Sequence, residues 1–169
     1  ARFEREARVA SLLRHKHAVE IYDFGETDGT LYLAMQLLHG QSLRDLRKRN
    51  RGHVDRDRVL NSVAQVADAL VAAHRVPLVH RDIKPENIFL AEARNQHGDI
   101  VPKLVDFGVS KALAPGESHQ RLTGTGVAMG TPYYMAPEQL KGQLNPATDL
   151  YAWGLVLLEC LTGNVTIEA

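Results

Sequence analysis

The chain has 169 residues, 44% of them hydrophobic, and 20 basic side chains balance 20 acidic ones to give a formal net charge of zero. This length and composition allow one sizeable hydrophobic core and leave little room for a second domain. The balanced charge provides no overall field that would attract nucleic acid or an anionic membrane, so neither is expected as a partner. The single cysteine, Cys160, excludes an internal disulfide framework, and the longest apolar stretch, residues 150–161, is too short to span a bilayer.

The beginning of the chain predicts a helix followed by a hairpin. Residues 2–14 place apolar side chains among many charges in the pattern of a half-exposed helix. Two strand-like runs, residues 18–24 and 30–38, flank a segment whose Asp28-Gly29 pair is a hairpin turn signal.

Two helices are predicted next. Ser42 is a cap residue before a short helix that ends at Arg49. Residues 56–75 carry apolar side chains at three- and four-residue steps, which predicts an amphipathic helix of several turns. We expect this long helix to pack behind the loop that follows it.

A second hairpin is predicted after the long helix. Residues 88–91 and 101–105 have the composition of two short strands. Asn87 precedes the first strand and Asp106 follows the second. These two polar side chains would therefore come from the opposite chain ends of one hairpin, one before it and one after it.

The last third of the chain predicts a long loop and a helix. Residues 109–132 are rich in Gly, Ser, Thr and Pro and lack periodicity, and a long loop inside a compact domain is usually functional. Asn145-Pro146 supplies a cap followed by proline at the first helical position of an apolar helix that ends near Leu161. Because the chain begins at Ala1 within a charged, helix-like run, we expect it to be a piece of a longer protein.

Three motifs follow one another in a fixed order: HRDIKPEN at residues 80–87, DFG at 106–108 and APE at 136–138. The chain therefore resembles a eukaryotic-like serine/threonine protein kinase of bacterial type, because three matches in one chain order make coincidence negligible. The resemblance implies a partial α+β, protein-kinase-like fold. Residues 1–38 would be the rest of the small lobe and the start of the inter-lobe linker, and residues 39–169 would be a truncated, mainly helical large lobe.

The resemblance implies transfer of the ATP γ-phosphate to Ser or Thr hydroxyls. Asp82 corresponds to the catalytic base, and Lys84 would direct its ammonium at the transferring phosphoryl group. Asn87 and Asp106 would bind the metal that holds the nucleotide phosphates, Mg²⁺ with Mn²⁺ as an alternative ion. Lys84, Asn87 and Asp106 thus also count as nucleotide-binding residues.

Other nucleotide contacts are implied in the first 38 residues. Met35 matches the residue at the back of the adenine pocket, and adenine would be read by the C=O of Gln36 and the N–H of Leu38. Glu6 aligns with the helix glutamate that pairs with a strand lysine to hold the phosphates, although a solvated helix face also explains its charge. The Gly-rich loop and that lysine do not occur in the chain, so residues 1–169 alone are expected to be inactive.

Four residues have regulatory roles in the same family. Arg81 would pair with a phosphate on the activation segment, and Thr123 and Thr125 stand where bacterial members carry phosphorylated threonines. Both threonines also fit the alternative that threonine is merely common in loops. Thr131 corresponds to the threonine that contacts the catalytic lysine and base in serine/threonine-specific kinases.

Five residues have structural roles implied by the resemblance. They comprise a packing pair, a backbone hinge, a buried carboxylate, and a helix-start carboxylate that accepts hydrogen bonds from the catalytic-loop backbone: His80 and Phe107, Gly108, Glu138, and Asp149. His80 has an alternative interpretation as a general base, since histidine is the commonest one.

Two alternatives to a protein kinase remain at this point. A non-catalytic, pseudokinase-like scaffold is opposed by the presence of Asp82, Asn87 and Asp106 together, and a small-molecule kinase of related fold by the protein-substrate platform that residues 130–138 would form. The expected partners are ATP, a protein substrate with Ser or Thr, and a second copy of the kinase in trans self-phosphorylation. The expected location is the cytoplasm, where a reducing environment suits a single free thiol.

Overall fold

The long helix α3 (Arg56–Arg75) packs against the last long helix of the chain and against a small β-sheet. The computed structural model describes residues 2–49, 55–93, 99–108 and 132–163. Helix α3 begins at Asp55, whose Oδ1 accepts a hydrogen bond from the N–H of Asp57 at 3.0 Å. The predicted range of this helix is confirmed, and it buries the side chains spaced along one face: Val59, Val63, Val66 and Leu70.

Helix α5 (Pro146–Thr162) packs against α3. It begins with the predicted Asn145 cap, whose side-chain oxygen accepts from the N–H of Ala147 at 2.8 Å. The Trp153 indole N–H donates to the Val63 carbonyl at 3.0 Å and so connects the two helices. The predicted helix is confirmed to within one residue at its end.

The first 35 residues form helix α1 (Arg2–Ser11) and a hairpin of β1 (Ile21–Thr27) and β2 (Thr30–Met35). The Asp28-Gly29 turn has positive φ at both residues, 51° and 74°, as a two-residue hairpin turn of this kind requires. The hairpin is confirmed, but its first strand begins at residue 21 and not at 18, and its second strand ends at residue 35 and not at 38. The preceding backbone bonds elsewhere, since the N–H of Val19 donates to the carbonyl of Leu104 at 2.9 Å.

A three-stranded antiparallel sheet lies beside the long helix, in the order β3 (Gly40–Ser42), β4 (Ile88–Glu92) and β5 (Ile100–Leu104). Strands β4 and β5 confirm the predicted second hairpin. Strand β3 was not predicted, because three residues are too short to show an alternating pattern. Its first residue must be glycine: Gly40 has φ +139°, and an added Cβ would lie 2.1 Å from the Leu90 carbonyl oxygen.

Shorter elements complete the described structure. Helix α2 (Leu43–Arg49) follows the predicted Ser42 cap, whose hydroxyl oxygen accepts from the N–H of Asp45 at 3.1 Å. Helix α4 (Pro137–Leu140) precedes α5. The predicted loop 109–132 lies outside the described residues, apart from its last one. None of the helices that the structure describes has the length and hydrophobicity of a membrane span.

Candidate active site

Asp82 lies in the loop between α3 and β4, and two side chains of the same loop contact it. The Lys84 ammonium is 2.7 Å from the Asp82 Oδ2, and the Asn87 side-chain amide donates to the same oxygen at 3.0 Å. The Asn87 amide also donates to the Asp82 backbone carbonyl at 2.7 Å. A 3-10 turn, Pro85–Asn87, brings these residues together over a short stretch of chain. The loop therefore presents a carboxylate and an ammonium side by side.

Asn87 and Asp106 lie at the open end of the β4–β5 hairpin. The Val105 N–H donates to the Asn87 carbonyl at 3.0 Å, which extends the pairing of the two strands by one residue and places Asp106 just beyond it. The Asp106 side chain is exposed, whereas Asn87 is buried. Because the Asn87 amide nitrogen is committed to Asp82, its side-chain oxygen is the atom left for a ligand. The hairpin thus supplies two hard oxygen donors in one place.

The donor set suits a metal that takes few ligands from the protein. Within residues 2–49, 55–93, 99–108 and 132–163, no three His, Cys, Asp or Glu side chains cluster in a way that could hold a metal ion. Mg²⁺ is commonly bound by one or two carboxylates or amides, with phosphates and water completing its octahedron. Asn87 and Asp106 fit that pattern and do not fit a metal cage made of protein alone.

His80 is fully buried at the start of the loop that contains Asp82. Its Nε2–H donates to the Val105 carbonyl at 2.8 Å, and its Nδ1 accepts from the N–H of Asp82 at 3.3 Å. The ring also packs on Phe107, with ring centroids 4.8 Å apart. Burial lowers the pKa of His80 against the opposing influence of the nearby Asp149. Both ring nitrogens are used inside the protein, which favours the structural interpretation over the general-base one.

Asp149, at the start of α5, fixes the backbone on which the loop is built. Its two carboxylate oxygens accept from the N–H groups of His80 and Arg81, each at 2.8 Å. The Asp149 Oδ2 also accepts from the His74 Nε2 at 2.8 Å. The sequence contains no local signal of this contact, because His74 and Asp149 are 75 residues apart.

Glu6 and Arg81 contact each other, a pairing that the sequence did not predict. The Arg81 Nη1 lies 3.0 Å from the Glu6 Oε1, and both side chains are largely buried. The resemblance had assigned Glu6 to a strand lysine and Arg81 to a phosphorylated residue. In the described structure the glutamate of α1 is instead connected directly to the catalytic loop.

Gly108 allows the chain to pass close behind the catalytic loop. Its φ is +46°, and a Cβ added there would lie 3.0 Å from the His80 carbonyl oxygen. Any other residue would be strained both by the backbone angle and by this contact. The glycine therefore permits the turn that follows Asp106.

Glu138 differs from its expected environment. The resemblance implied a buried carboxylate that needs a distant arginine, but Glu138 is half-buried and accepts a hydrogen bond from the Thr148 hydroxyl at 3.3 Å. The partial exposure reduces the cost of its charge. Thr123, Thr125 and Thr131 lie outside the described residues.

A second cluster, Arg47, Tyr134 and Glu159, was missed by sequence reasoning. Glu159 is buried; it accepts from the Tyr134 hydroxyl through one oxygen and pairs with Arg47 through the other. Burial and this acceptor both raise the pKa of Tyr134. The hydroxyl contact gives Tyr134 a role beyond apolar packing. Arg47 and Glu159 are 112 residues apart, so no local pattern could have indicated the pair.

The linker between β2 and β3 contains the predicted adenine contacts. The Gln36 N–H donates to the Glu20 carbonyl at 2.8 Å, which ties the linker to the first hairpin. Leu38 lies two residues further on and is half-buried, and Met35 is 38% exposed at the end of β2. The predicted adenine groups, the Gln36 carbonyl and the Leu38 N–H, are both backbone groups of this short linker.

Comparison with known proteins identifies the family. A family model described as the protein kinase domain matches residues 1–169. The chain belongs to the protein kinase family. It is 42% identical over 171 residues to the serine/threonine-protein kinase pkn3 of Myxococcus xanthus, and 42% identical over 164 residues to the serine/threonine-protein kinase PknE of Mycobacterium tuberculosis. The predicted resemblance to bacterial serine/threonine kinases is therefore confirmed.

Solved structures show the same fold. The chain superposes on the PknI kinase domain of Mycobacterium tuberculosis with a TM-score of 0.75 at 30% identity, covering 99% of this chain and 58% of that one. A structure of Rad53 in complex with AMP-PNP gives a TM-score of 0.75 at 25% identity, with 99% of this chain and 39% of that one covered. The predicted kinase-like fold is confirmed.

This kinase chain spans less than a third of the curated relatives that it matches. The alignments cover 100% and 96% of the chain but only 31% of pkn3 and 27% of PknE.

Proposed function

We propose that this chain forms the catalytic centre of a protein kinase that transfers the γ-phosphate of ATP to Ser or Thr hydroxyls of protein substrates. The observation that carries the proposal is the contact of Asp82 with both Lys84 and Asn87. Phosphoryl transfer needs little covalent chemistry from a protein, and depends on positioning and on charge stabilisation. A carboxylate beside an ammonium at a two-oxygen metal site provides both.

Each side chain of the cluster has a separate task in this proposal. Asp82 orients the substrate hydroxyl and accepts its proton, while the ammonium of Lys84 stabilises the negative charge of the transferring group. The Asn87 amide nitrogen keeps the Asp82 carboxylate in place, and its side-chain oxygen would be a ligand of the metal. The contacts in the structure support this division because Lys84 and Asn87 both bond to the same oxygen of Asp82.

Nucleotide binding would use both parts of the chain. Asn87 and Asp106 would hold Mg²⁺, with Mn²⁺ as the alternative ion, and the ion would neutralise charge on the ATP phosphates. The Gln36 carbonyl and the Leu38 N–H would hold the adenine edge. We place the boundary between the two lobes within the linker, with residues 1–38 above it and 39–169 below it.

Glu6 has two partners in the proposed cycle. It pairs with Arg81 in the described structure, and it would pair with a strand lysine when ATP is bound. Release of Arg81 would then leave its guanidinium available to a phosphorylated threonine, for which Thr123 and Thr125 are the candidates. We propose that this phosphate is added in trans by a second copy of the kinase.

Two further assignments complete the proposal. Thr131 would contact Lys84 and Asp82 and favour Ser or Thr acceptors over tyrosine. The kinase domain would act in the cytoplasm, where ATP is present and where the free thiol of Cys160 stays reduced. Burial raises the pKa of that thiol to about 11, which makes it a poor nucleophile.

The test uses the kinase domain extended on both sides to the length of the kinase structures that the chain matches, called the extended domain below. With Mg-ATP and a general protein substrate, the extended domain should produce phosphoserine or phosphothreonine. Asp82→Asn should lower the rate by about 10²–10⁴-fold, whereas Asp57→Asn, at an exposed position in the first turn of α3, should leave it unchanged. Mass spectrometry of the active protein should find phosphate on Thr123 or Thr125. A wild-type domain that binds ATP but transfers no phosphate would support the scaffold alternative instead.

A further inference from the structure

The backbone of Arg81 is strained directly before the proposed base. Its φ is +68°, in the left-handed region that residues with a side chain rarely adopt. Such a conformation persists only when the surrounding structure holds it in place, and it is often found at functional sites. The direction in which the chain enters Asp82 therefore depends on what holds Arg81.

Two side chains from different elements hold the peptide groups on either side of Arg81. The Arg81 N–H donates to the Asp149 Oδ1 at 2.8 Å, and the Arg81 carbonyl accepts from the Gln139 side-chain amide at 2.9 Å. Asp149 has an implied role in the family, but Gln139 belongs to none of the three motifs. The carbonyl that Gln139 contacts is part of the peptide bond to Asp82.

Gln139 lies on α4, which continues from the proposed substrate platform. Its own N–H donates to the Ala136 carbonyl at 2.9 Å, so its position depends on that buried residue. The preceding Pro132–Tyr134 turn is anchored by the Tyr134 contact with Glu159. A movement of residues 132–136 would therefore also displace the Gln139 side-chain amide.

We propose that Gln139 is a positioning residue for phosphoryl transfer: its amide holds the Arg81 carbonyl and so orients Asp82 only while α4 is docked. This inference rests on the proposed kinase function. It connects the end of the activation segment to the base through one hydrogen bond. Nucleotide binding does not pass through this contact, because the adenine and metal groups lie on the linker and on the β4–β5 hairpin.

Three substitutions of Gln139 in the extended domain distinguish the effect of its hydrogen-bond donor from the effects of side-chain charge and size. Gln139→Glu and Gln139→Leu remove the donor, and Gln139→Lys supplies an ammonium donor in its place. Loss of one hydrogen bond should lower kcat about tenfold in the first two variants. The KM for ATP should stay within about twofold of wild type, because KM reflects ground-state binding when chemistry is slow relative to ATP dissociation. Gln139→Lys should recover part of kcat.

A matched control and a binding measurement exclude a general structural effect. Gln143 is exposed shortly after α4, and Gln143→Glu makes the same chemical change, so it should leave kcat and KM unchanged. Calorimetric titration would measure the number of ATP sites per molecule. A value of one in every variant would show that the protein is fully folded and that the fall in kcat has another cause.

A kcat loss in Gln139→Glu and Gln139→Leu, with recovery in Gln139→Lys and full ATP stoichiometry, supports the inference. Wild-type kcat in Gln139→Glu, equal losses in all three variants, or a kcat loss matched by lost ATP sites would overturn it. If the wild-type domain itself transfers no phosphate, the proposed function fails first. If wild type and Gln139→Glu are equally active, only the role of Gln139 is wrong.

Discussion

The catalytic loop and the β1–β2 hairpin with its linker are held together in different ways. In the loop, side chains from distant elements bond to backbone groups, as when Asp149 accepts from His80 and Arg81. The hairpin is held mainly by its own ladder, and its linker is tied back by the Gln36 N–H to the Glu20 carbonyl. The loop therefore depends on the identity of particular residues, and the linker depends on backbone geometry.

This difference corresponds to two kinds of task. A base must be placed within a fraction of an ångström of a reacting hydroxyl, which requires support from a second layer of contacts. Adenine has a fixed pattern of donors and acceptors along one edge, which extended backbone can match with many side chains. Substitutions should therefore have large effects on one region and small effects on the other.

The largest effect is expected at Asp149. Replacing it by alanine leaves the His80 and Arg81 amides and His74 without their acceptor, at a cost of several kcal/mol. For the extended domain this should lower Tm by about 10 °C and kcat by about 10²-fold. The matched control is Asp57→Ala, which also removes a carboxylate from the first turn of a helix. Equal Tm values for the two variants in differential scanning calorimetry would contradict the comparison.

A smaller effect is expected from the protonation of His80. Burial lowers the pKa of His80 in the folded state, so the unfolded chain binds more protons once the pH falls below about 6.5. The stabilisation is therefore complete above that pH and is lost as the pH falls below it. The slope is at most about 1.4 kcal/mol per pH unit for one histidine.

The measurement is the free energy of unfolding of the extended domain in urea between pH 7 and pH 5. His80→Gln keeps a neutral donor and acceptor, so it should show a shallower decrease than wild type, even if it is less stable at pH 7. His39→Gln is the control because His39 is exposed, and it should keep the wild-type slope. The same slope in all three proteins would remove His80 as the source.

The smallest effect is expected at Gln36. Its side chain is half-buried on the linker, and the proposal uses only its carbonyl. Gln36→Ala should therefore change the KM for ATP by less than about twofold, whereas Leu38→Pro, which removes the N–H, should raise it about tenfold. A tenfold change in Gln36→Ala with none in Leu38→Pro would show that side chains recognise adenine here.

Local patterns predicted the helices and hairpins well, because their signals lie within a few residues. The Ser42 and Asn145 caps and the Asp28-Gly29 turn each use atoms of neighbouring residues. Strand β3 was missed because its three residues are too few to show an alternating pattern. Strand β1 was placed too early because residues 18–19 bond to β5.

The motifs predicted which residues gather at the site, and the family resemblance implied the packing of His80 on Phe107 and the bonds of Asp149 to the loop backbone. Other contacts that hold the site were not predicted. Asp82, Lys84 and Asn87 are close in the chain, so their spacing carries the information. The Gln139 contact with Arg81, and the pair formed by Glu6 and Arg81, join segments that are far apart in the chain. Such contacts follow from tertiary packing, for which a single sequence contains no local signal.

The claim that Asp82 serves the substrate hydroxyl while Asp106 serves the nucleotide is tested most directly by the affinity for Mg-ATP. Isothermal titration calorimetry would compare the extended domain with its Asp82→Asn and Asp106→Asn variants. We expect Asp82→Asn to bind within about twofold of wild type and Asp106→Asn to bind about ten- to hundredfold more weakly, as loss of one charged contact implies. Equal weakening of binding in the two variants, or weaker binding in Asp82→Asn alone, would contradict the account.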